Sequence, residues 1–387
     1  MIRFLTAGES HGPALSAIIE GLPAGLSVDI EDINYELFRR QQGFGRGGRM
    51  KIEKDRIEIL SGIRSAKTLG SPVSFVIRNK DWENWTEIMA VEKAIPGREI
   101  SKPRPGHADL SGSMKYNFDD MRNVLERSSA RETAMRTACG AFSKQLLKYF
   151  NIEIFSHVLQ IGPVKADPDK FSEILHSMQI NKIADQSAVR CLDKDAEDAM
   201  IEHIKKTKSA GDTCGGVFQV VIKNVPPGLG SYVHWDRKLS GQLAGALMSI
   251  QAVKGVEIGA GFGAAGLSGS QFHDEIIYEN QSFLRKSNNA GGLEGGMSNG
   301  MDIVLQVFKK PIPTLMKPLE SVDVKTKETF QAHKERSDIT AVPACAVIAE
   351  AAAAPVIANA FLEKFGSDNI ADIEQSFSSY LERLKKI

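Results

Sequence analysis

The sequence predicts an α+β protein in which helices and antiparallel strands form packed layers. SPVSFVIRN (71–79) and GGVFQVVIKNVP (215–226) have the β-branched and aromatic alternation of half-buried strands. Helical patterns separate such strands at irregular intervals, which favours α+β layers over a regular βαβ array. The alanine-rich segment from Ala341 to Phe365 predicts a buried helix with a kink at Pro355.

The first third of the chain begins with two apolar runs, Ile2 to Leu5 and Ala14 to Ile19, which predict short strands. Residues 30–40 carry apolar side chains with helical spacing and end in a glycine-broken basic loop. RIEILSGI (56–63) predicts another strand. Residues 82–124 are predicted to be mostly loop, because three prolines exclude long helices.

A long helix is predicted for SSARETAMRTACGAFSKQLLKYF (128–150), with Ser128 or Ser129 as its cap and Glu132 completing a capping box. Beyond it, the segments IEIFSHVLQIG and MDIVLQVFKK predict strands, and LSGQLAGALMSI predicts a helix. Residues 151–210 also contain two helical patterns, the second of which ends at Gly211. The glycines and asparagines of SNNAGGLEGGMSNG predict a loop.

Composition limits the class of protein. At 387 residues the chain exceeds the roughly 250–300 residues at which single cores stop growing, so we expect two domains or one large layered unit. Lys+Arg and Asp+Glu both number 48, so no overall field favours nucleic acid or an anionic membrane. No apolar run reaches the roughly 18 residues that span a bilayer, and there is no signal-peptide pattern. We therefore expect a cytoplasmic protein.

Four cysteines show neither metal-site nor disulfide spacing, which fits a reducing compartment and predicts no metal site. They are Cys139, Cys191, Cys214 and Cys345.

An arginine-rich loop between Arg39 and Arg56 could surround a small anion. Arg40, Arg46 and Arg49 lie among four glycines, and the arginine fork suits bidentate contacts to phosphate or carboxylate. An exposed basic loop is an equally simple interpretation. RNA binding is a third, although Phe44 alone offers a stacking surface.

Two histidines lie on glycine-rich loops, His11 in GESHGPAL and His107 beside Arg104 in KPRPGHADLSG. A single histidine of this kind is best explained by a structural hydrogen bond, whereas two indicate acid–base groups. Neither histidine has a further metal ligand at helical or hairpin spacing, which makes a metal site the weaker interpretation.

Three further clusters contain groups that can bind anions or hold ion pairs. In RSSARETAMR, Arg127 and Arg131 flank Ser128, Ser129 and Ala130, whose N–H groups at a helix N-terminus could hold an anion, although a capped surface helix is the simpler alternative. In AHKERSDITAVPA, Arg336 and Asp338 form either a salt-bridged loop or part of a site. Lys309 to Thr314, KKPIPT, is a cationic turn with a hydroxyl group.

At these residues the sequence resembles the chorismate synthase family. The resemblance runs from residue 5 into the 350s and covers nearly the whole chain. Its stretches are GESHGPAL, RRQQGFGRGGRMKIEKDRIEILSG, RPGHADLSG, RSSARETAMR, GDTCGG, GALMSIQAVKGVEIGAGF, SNNAGGLEGGMSNG and ERSDITAVPA. Residues 165–205 match no motif of the family, and Gln251 stands where some members have asparagine.

The resemblance implies a trans-1,4-elimination of phosphate from 5-enolpyruvylshikimate-3-phosphate, which gives chorismate and requires reduced FMN. It implies one domain over 1–387, with helices packed between antiparallel sheets as a β-α-β sandwich, and a homotetramer built as a dimer of dimers. NADPH is the implied indirect electron source, used by the enzyme itself in some members and by a separate flavin reductase in others.

The resemblance also implies roles for particular residues. His11 lies near the leaving phosphate, His107 stabilises the reduced flavin, and Asp338 relays a proton from flavin N5, which accepts the C6 hydrogen of the substrate. The substrate-binding residues are Arg40, Arg46, Arg49, Arg104 and Arg131. The flavin-binding residues are Arg127, Ser128, Ser129, Gln251, Ala252, Gly295, Lys310, Pro311, Ile312, Pro313, Thr314 and Arg336.

Two other functions compete with this one. A flavin reductase or NADPH oxidoreductase is disfavoured, because no Gly-x-Gly-x-x-Gly segment combines a preceding strand, an opening helix and a downstream acidic residue. An RNA-associated protein that uses residues 39–56 would show affinity that falls steeply with salt and does not depend on FMN.

Overall fold

Two antiparallel sheets enclose a layer of helices in the computed structural model, which describes residues 1–47, 53–92, 95, 97–279, 282–332 and 338–387. The first sheet has four strands, in the order Arg3–Ala7, Ala14–Glu20, Val73–Arg78 and Glu58–Ser61. The second has five, in the order Val253–Ile258, Ile303–Lys309, Gly216–Lys223, Glu153–Ile161 and Val164–Lys165. Three helices pack on one another between the sheets, Ile30–Gln41, Thr133–Tyr149 and Val342–Phe365. This arrangement confirms the predicted α+β class.

The strands are β1 Arg3–Ala7, β2 Ala14–Glu20, β3 Glu58–Ser61, β4 Ile63–Arg64, β5 Lys67–Thr68, β6 Val73–Arg78, β7 Glu153–Ile161, β8 Val164–Lys165, β9 Gly216–Lys223, β10 Val253–Ile258, β11 Ile276–Glu279, β12 Ser282–Arg285, β13 Leu293–Glu294, β14 Met297–Ser298, β15 Ile303–Lys309, β16 Glu320–Val322 and β17 Thr329–Gln331. The helices are α1 Ile30–Gln41, α2 Asp109–Tyr116, α3 Arg122–Ser128, α4 Thr133–Tyr149, α5 Ser172–His176, α6 Ile180–Ala184, α7 Lys194–Ser209, α8 Leu239–Met248, α9 Gly269–Phe272, α10 Val342–Phe365 and α11 Ile370–Leu384.

Alternating side chains attach each sheet to the helical layer. In β6, Val73, Phe75 and Ile77 are buried, while the residues between them are less buried. Phe75 contacts Phe142 of α4, with ring centroids 5.5 Å apart. From the second sheet, β7 and β9 pack on α10. One hydrophobic core therefore extends from sheet to sheet.

The helix α10 is long and apolar enough to cross a membrane, with a mean hydropathy of 1.8 over its most apolar window. The expectation that no segment reaches this length was therefore wrong. However, 89% of that window is buried inside the protein, so the helix belongs to the core. It is helical on both sides of Pro355.

A buried charge network fixes α10 to its neighbours. Glu350 is fully buried, and both of its oxygens accept hydrogen bonds from Arg39 of α1 at 2.9 Å. Lys144 of α4 donates to the same carboxylate at 2.7 Å. Arg39 of the predicted basic loop is thus an internal residue and not part of an exposed basic surface.

The chain departs from the predicted elements at several places. Ser129 is extended (φ −61°, ψ 143°), so α3 ends at Ser128 and α4 begins only at Thr133, without a capping box. Residues 106–124 of the predicted loop contain no proline, and Asp109–Tyr116 among them form α2. The segment SNNAGGLEGGMSNG contains the short hairpin β13–β14, and α11 was not predicted.

Candidate functional site

Two of the predicted substrate-binding arginines lie side by side beneath the surface. Arg131 donates to both oxygens of Asp55, at 2.6 and 2.7 Å, and to Asn79 Oδ1 at 3.0 and 2.8 Å. Arg40 donates to Thr133 Oγ1 at 3.0 Å and lies 3.4 Å from Asp55. Both arginines are almost fully buried and use their guanidinium groups largely on protein partners.

The third arginine, Arg46, lies close to this pair and to the predicted catalytic carboxylate. Its Nη1 is 2.9 Å from Asp338 Oδ2, and the backbone N–H of Gly47 donates to Asp338 Oδ1 at 2.6 Å. Burial lowers the pKa of Arg40 to about 10; Asp55 partly offsets this, whereas the positive charges of Arg131 and Arg46 add to it. Arginines from two separated segments of the chain therefore share one electrostatic environment.

His11 is held at the edge of this region by a buried carboxylate. Its Nδ1 lies 3.0 Å from both oxygens of Glu126, and its backbone N–H donates to Glu126 Oε2 at 2.8 Å. The ring of Trp85 lies against the imidazole at a centroid distance of 4.0 Å. The His11 side chain nevertheless keeps 19% of its surface exposed, so it can contact a ligand.

The end of α3 connects to the His11 loop, and one prediction about it was wrong. Ser128 is the last residue of α3 and not the start of a helix, so it provides no helix N-terminus for an anion. Ser129 Oγ accepts from the Arg131 N–H at 3.3 Å and donates to Ser10 Oγ at 3.2 Å. Arg127 donates to the carbonyl oxygens of Thr6 and Gly8 at 2.8 and 3.2 Å.

A second group surrounds His107. Its Nδ1 lies 2.5 Å from Asp109 Oδ1, and Arg104 donates to Asp109 Oδ2 at 2.9 Å. Burial alone would raise the pKa of Asp109, but hydrogen bonds from His107 and Arg104 hold it well below its usual range. A cavity of about 490 Å³ opens beside these residues and is lined by both Arg104 and His107.

The segment Lys309 to Thr314 joins the two groups. Lys310 Nζ donates to the Gly106 carbonyl at 2.6 Å, and Thr314 Oγ1 accepts from Arg104 at 3.2 Å. On the other side, burial lowers the pKa of Lys309, with Asp338 opposing and Arg46 reinforcing that shift. The cationic turn therefore extends from the Arg46–Asp338 pair to the His107 cavity, with Pro311, Ile312 and Pro313 between its ends.

The remaining predicted flavin-binding residues are less closely connected. The Lys310 N–H donates to the carbonyl of Ala252 at 2.9 Å, which places Gln251 and Ala252 beside the cationic turn. Gln251 Oε1 is buried and has no hydrogen-bond partner among the described residues. Gly295 turns the β13–β14 hairpin, and among described residues a Cβ there would meet only Tyr232, at 4.0 Å. Arg49 and Arg336 lie outside the described residues.

Asp109, Glu126, Asn79, Asp55 and Trp85 were not predicted. Asp109 had a visible signal, since it follows His107 by two residues in GHAD, a spacing that lets a carboxylate reach the imidazole. The other four contact site residues between 15 and 115 positions away along the chain, so no local pattern indicates them. Within the described part of the chain, no group of three potential metal ligands occurs.

The geometry offers two imidazoles, each paired through Nδ1 with a buried carboxylate, and several guanidinium groups at one end of the helical layer. Such an arrangement can bind an anion that carries several negative groups and can donate or accept protons at the imidazoles. The roles of individual residues stay predictions.

Comparison with known proteins identifies a single family. The family model described as chorismate synthase matches residues 2–362. A curated chorismate synthase from Alkaliphilus metalliredigens is 56% identical over 98% of this chain and 99% of its own length. Those from Bacillus subtilis and a Sulfurihydrogenibium species are 53% and 57% identical, over 100% and 98% of this chain and over 99% and 98% of their own lengths.

A solved structure agrees with the sequence relatives. It is described as a crystal structure of chorismate synthase, is 43% identical, and covers 100% of this chain and 99% of its own. Its TM-score of 0.81 extends the similarity to the whole arrangement of sheets and helices.

Proposed function

Because the chain belongs to the chorismate synthase family and is a carbon–oxygen lyase of the shikimate pathway, we propose that the two groups of residues described above form one site for 5-enolpyruvylshikimate-3-phosphate and reduced FMN. The observation that carries this proposal is the convergence of Arg40, Arg46 and Arg131 with Asp338, continued by the Lys309–Thr314 segment to the His107 cavity. A substrate with a phosphate and two carboxylates requires several cations in one place.

Exposure divides the substrate-binding residues into two sets. The side chains of His107, Arg46 and Arg104 keep 18%, 12% and 10% of their surface exposed, and we assign them to direct contact with the substrate or flavin. Arg40 and Arg131 are almost fully buried, and they contribute positive charge from beneath the exposed residues of the site. Arg49 keeps its predicted role in substrate binding.

The residues next to the cationic turn are suited to a flavin. The unpartnered Gln251 oxygen is a buried acceptor that a ring N–H can satisfy, and Lys310 supplies positive charge beside it. The residues that would hold the flavin are Arg127, Ser128, Ser129, Gln251, Ala252, Gly295, Lys310, Pro311, Ile312, Pro313, Thr314 and Arg336. Reduced FMN, when bound, supplies an electron-rich ring and a basic nitrogen at N5.

The chain's own residues then neutralise charge and transfer protons. His11 donates a proton from Nε2 to the phosphate oxygen that takes the electron pair of the broken C–O bond. Arg46 and Arg104 neutralise the anionic groups of the substrate. His107 stabilises negative charge on the flavin side. Asp338, fixed by Arg46 and the Gly47 N–H, relays the proton that the substrate loses at C6 and that flavin N5 would accept.

We further propose a single domain over residues 1–387, a cytoplasmic location and assembly into a homotetramer as a dimer of dimers. Exposed Leu5 and Ile18, which pair across β1 and β2 on the outer face of the first sheet, support an assembly that covers them. NADPH is the proposed indirect electron source, used either by the enzyme itself or through a separate flavin reductase. Neither RNA nor a membrane is a proposed partner.

Binding of oxidised FMN tests the shared site, because a substrate beside the flavin must change flavin affinity. We expect FMN to bind about 5-fold to 150-fold more tightly when 5-enolpyruvylshikimate-3-phosphate is present, measured by quenching of FMN fluorescence. Gln251→Leu should weaken FMN binding, whereas the exposed Gln375→Leu should not. Equal FMN affinity with and without the substrate would contradict a common site.

A further inference from the structure

We propose that Glu126 is a positioning residue for the reaction: it fixes the ring orientation and tautomer of His11 so that Nε2 is the nitrogen presented to the leaving phosphate. The inference rests on the proposed role of His11 as a proton donor. Glu126 itself is 2% exposed and contacts neither substrate nor flavin in this proposal.

Glu126 contacts both the backbone and the side chain of His11. The His11 backbone N–H donates to Oε2 at 2.8 Å, and His11 Nδ1 lies 3.0 Å from Oε1 and from Oε2. An ionised carboxylate only accepts hydrogen bonds, so Nδ1 must carry a proton in this arrangement. In the neutral ring Nε2 is then the unprotonated nitrogen, and in the imidazolium it is the only N–H that faces away from Glu126.

Two neighbours stabilise this arrangement, one at the imidazole ring and one at the carboxylate. The indole of Trp85 covers one imidazole face at a centroid distance of 4.0 Å and an interplanar angle of 30°. Arg122, one turn before Glu126 on α3, lies 3.7 Å from Glu126 Oε1 and 5.4 Å over the Trp85 ring. The carboxylate is thus itself held in place, as positioning requires.

The same helix end controls the position of the whole His11 loop. The Ser10 N–H donates to the backbone carbonyl of Glu126 at 3.1 Å, and Arg127 donates to the carbonyls of Thr6 and Gly8. Hydrogen bonds therefore join the proposed proton donor and the proposed flavin-binding residues at the end of α3 into one unit. A carboxylate at position 126 couples the orientation of the imidazole to that unit.

The consequence for catalysis is a defined proton path. Nε2–H gives its proton to the phosphate oxygen as the C–O bond breaks, and the electron pair of the N–H bond stays on the imidazole. Glu126 offsets the positive charge of the imidazolium before this transfer and keeps Nδ1 protonated after it. An amide at this position can donate to Nδ1 and would place the remaining proton on Nε2.

Kinetics of Glu126→Gln separate positioning from binding. With reduced FMN under anaerobic conditions, we expect kcat to fall by about 10²–10⁴-fold and KM for the substrate to change little. Glu126→Asp keeps the charge and should recover part of the rate. In a His11→Ala background, Glu126→Gln should cost little more, because the two residues act as one unit. Glu197→Gln, which removes another buried carboxylate on α7, serves as the control with unchanged kcat.

The tautomer of His11 gives a readout that does not depend on any variant of Glu126. In ¹⁵N-histidine-labelled protein studied by solid-state NMR, the His11 signal, assigned by its loss in His11→Ala, should show a protonated Nδ1. An unprotonated Nδ1 in the neutral ring would overturn the proposal even if Glu126→Gln failed to fold. A slow His11→Ala variant beside a Glu126→Gln variant of normal rate would overturn it too, while leaving the proposed function intact. Normal rates in His11→Ala would remove the role on which it rests.

Discussion

At the scale of single residues, the site contains two kinds of arginine. Some are partly exposed, and others are buried and support them. Arg131 directs its guanidinium to Asp55 and Asn79, and Arg40 directs its own to Asp55, Thr133 and the backbone. Arg46 instead keeps part of its side chain exposed beside Asp338. Substitutions at these positions should therefore have different effects.

Arg131→Lys should mainly lower stability, because lysine cannot reproduce the bidentate contact and leaves Asp55 and Asn79 poorly paired. We expect a loss of about 1–3 kcal/mol in the free energy of unfolding, measured by denaturant titration. Arg46→Ala should instead raise KM for the substrate by about 10-fold to 100-fold, the value of one lost charge-assisted hydrogen bond. An unchanged KM in Arg46→Ala would remove Arg46 from the substrate contacts.

The residues of the site could be predicted only where chemistry and sequence position coincide. His11, His107 and Arg104 lie in glycine- and proline-rich loops that draw attention to them. Glu126 and Asn79 gain their importance from side chains 115 and 52 residues away. A local pattern carries no information about such contacts, so these partners required the folded chain.

At the scale of secondary-structure elements, α4 and α10 cross at an unusually close point. A Cβ on Gly140 of α4 would lie 2.2 Å from the carbonyl oxygen of Ala351. Ala351 precedes Pro355 by four residues, so proline removes the N–H that would normally bind this carbonyl. The glycine thus lets the freed carbonyl approach the neighbouring helix.

Gly140→Ala should destabilise the protein although alanine is the better helix former. Because the contact is with backbone, the helices must separate, and we expect a loss of about 1–3 kcal/mol, the usual cost of overpacking. Thermal and denaturant unfolding measure the change, with the exposed Gly241→Ala as the helical control, where a Cβ would meet nothing within 4 Å among the described residues. Equal or greater stability of Gly140→Ala would show that α10 can shift at no cost.

His157 gives strand β7 a pH dependence. Burial lowers the pKa of His157 to about 4 from 6.5, and its Nε2 lies 3.0 Å from Gln219 Oε1 on the paired strand β9. Between these pH values the unfolded chain binds a proton that the folded chain does not, so stability falls as the pH falls.

The change His157→Gln should remove this contribution. Relative to the variant, the wild type should lose about 1.4 kcal/mol of unfolding free energy for each pH unit between 6.5 and about 4. Denaturant titrations at several pH values measure the difference. Parallel stability curves for the two proteins would show that His157 accepts a proton in the folded state.

Element boundaries were predictable where the apolar pattern is strong. The helix expected over 30–40 occurs as Ile30–Gln41, since Ile33 and Leu37 face the core. The helix expected from Ser128 begins five residues later, because an extended Ser129 connects the loop of His11 to α3 and α4. That break depends on contacts with Ser10, which the pattern of residues 128–150 does not contain.

At the scale of the whole molecule, the order of the layers explains why the site forms where it does. Helix α1 brings Arg40 into the layer between the sheets, the segment after Ser129 brings Arg131 beside it, and β15 runs into the cationic turn at Lys309. The sequence predicted α+β layers and the resemblance predicted the sandwich. The meeting of these segments follows from the packing of the layers and from the ion pairs that join them.

One assay tests the central claim most directly. The enzyme, 5-enolpyruvylshikimate-3-phosphate and dithionite-reduced FMN are combined without oxygen, and phosphate and chorismate are measured together. We predict equal amounts of both products with reduced FMN and none with oxidised FMN, since the reaction needs the reduced flavin without net oxidation. Failure to release phosphate with reduced FMN, or equal turnover without any flavin, would contradict the account.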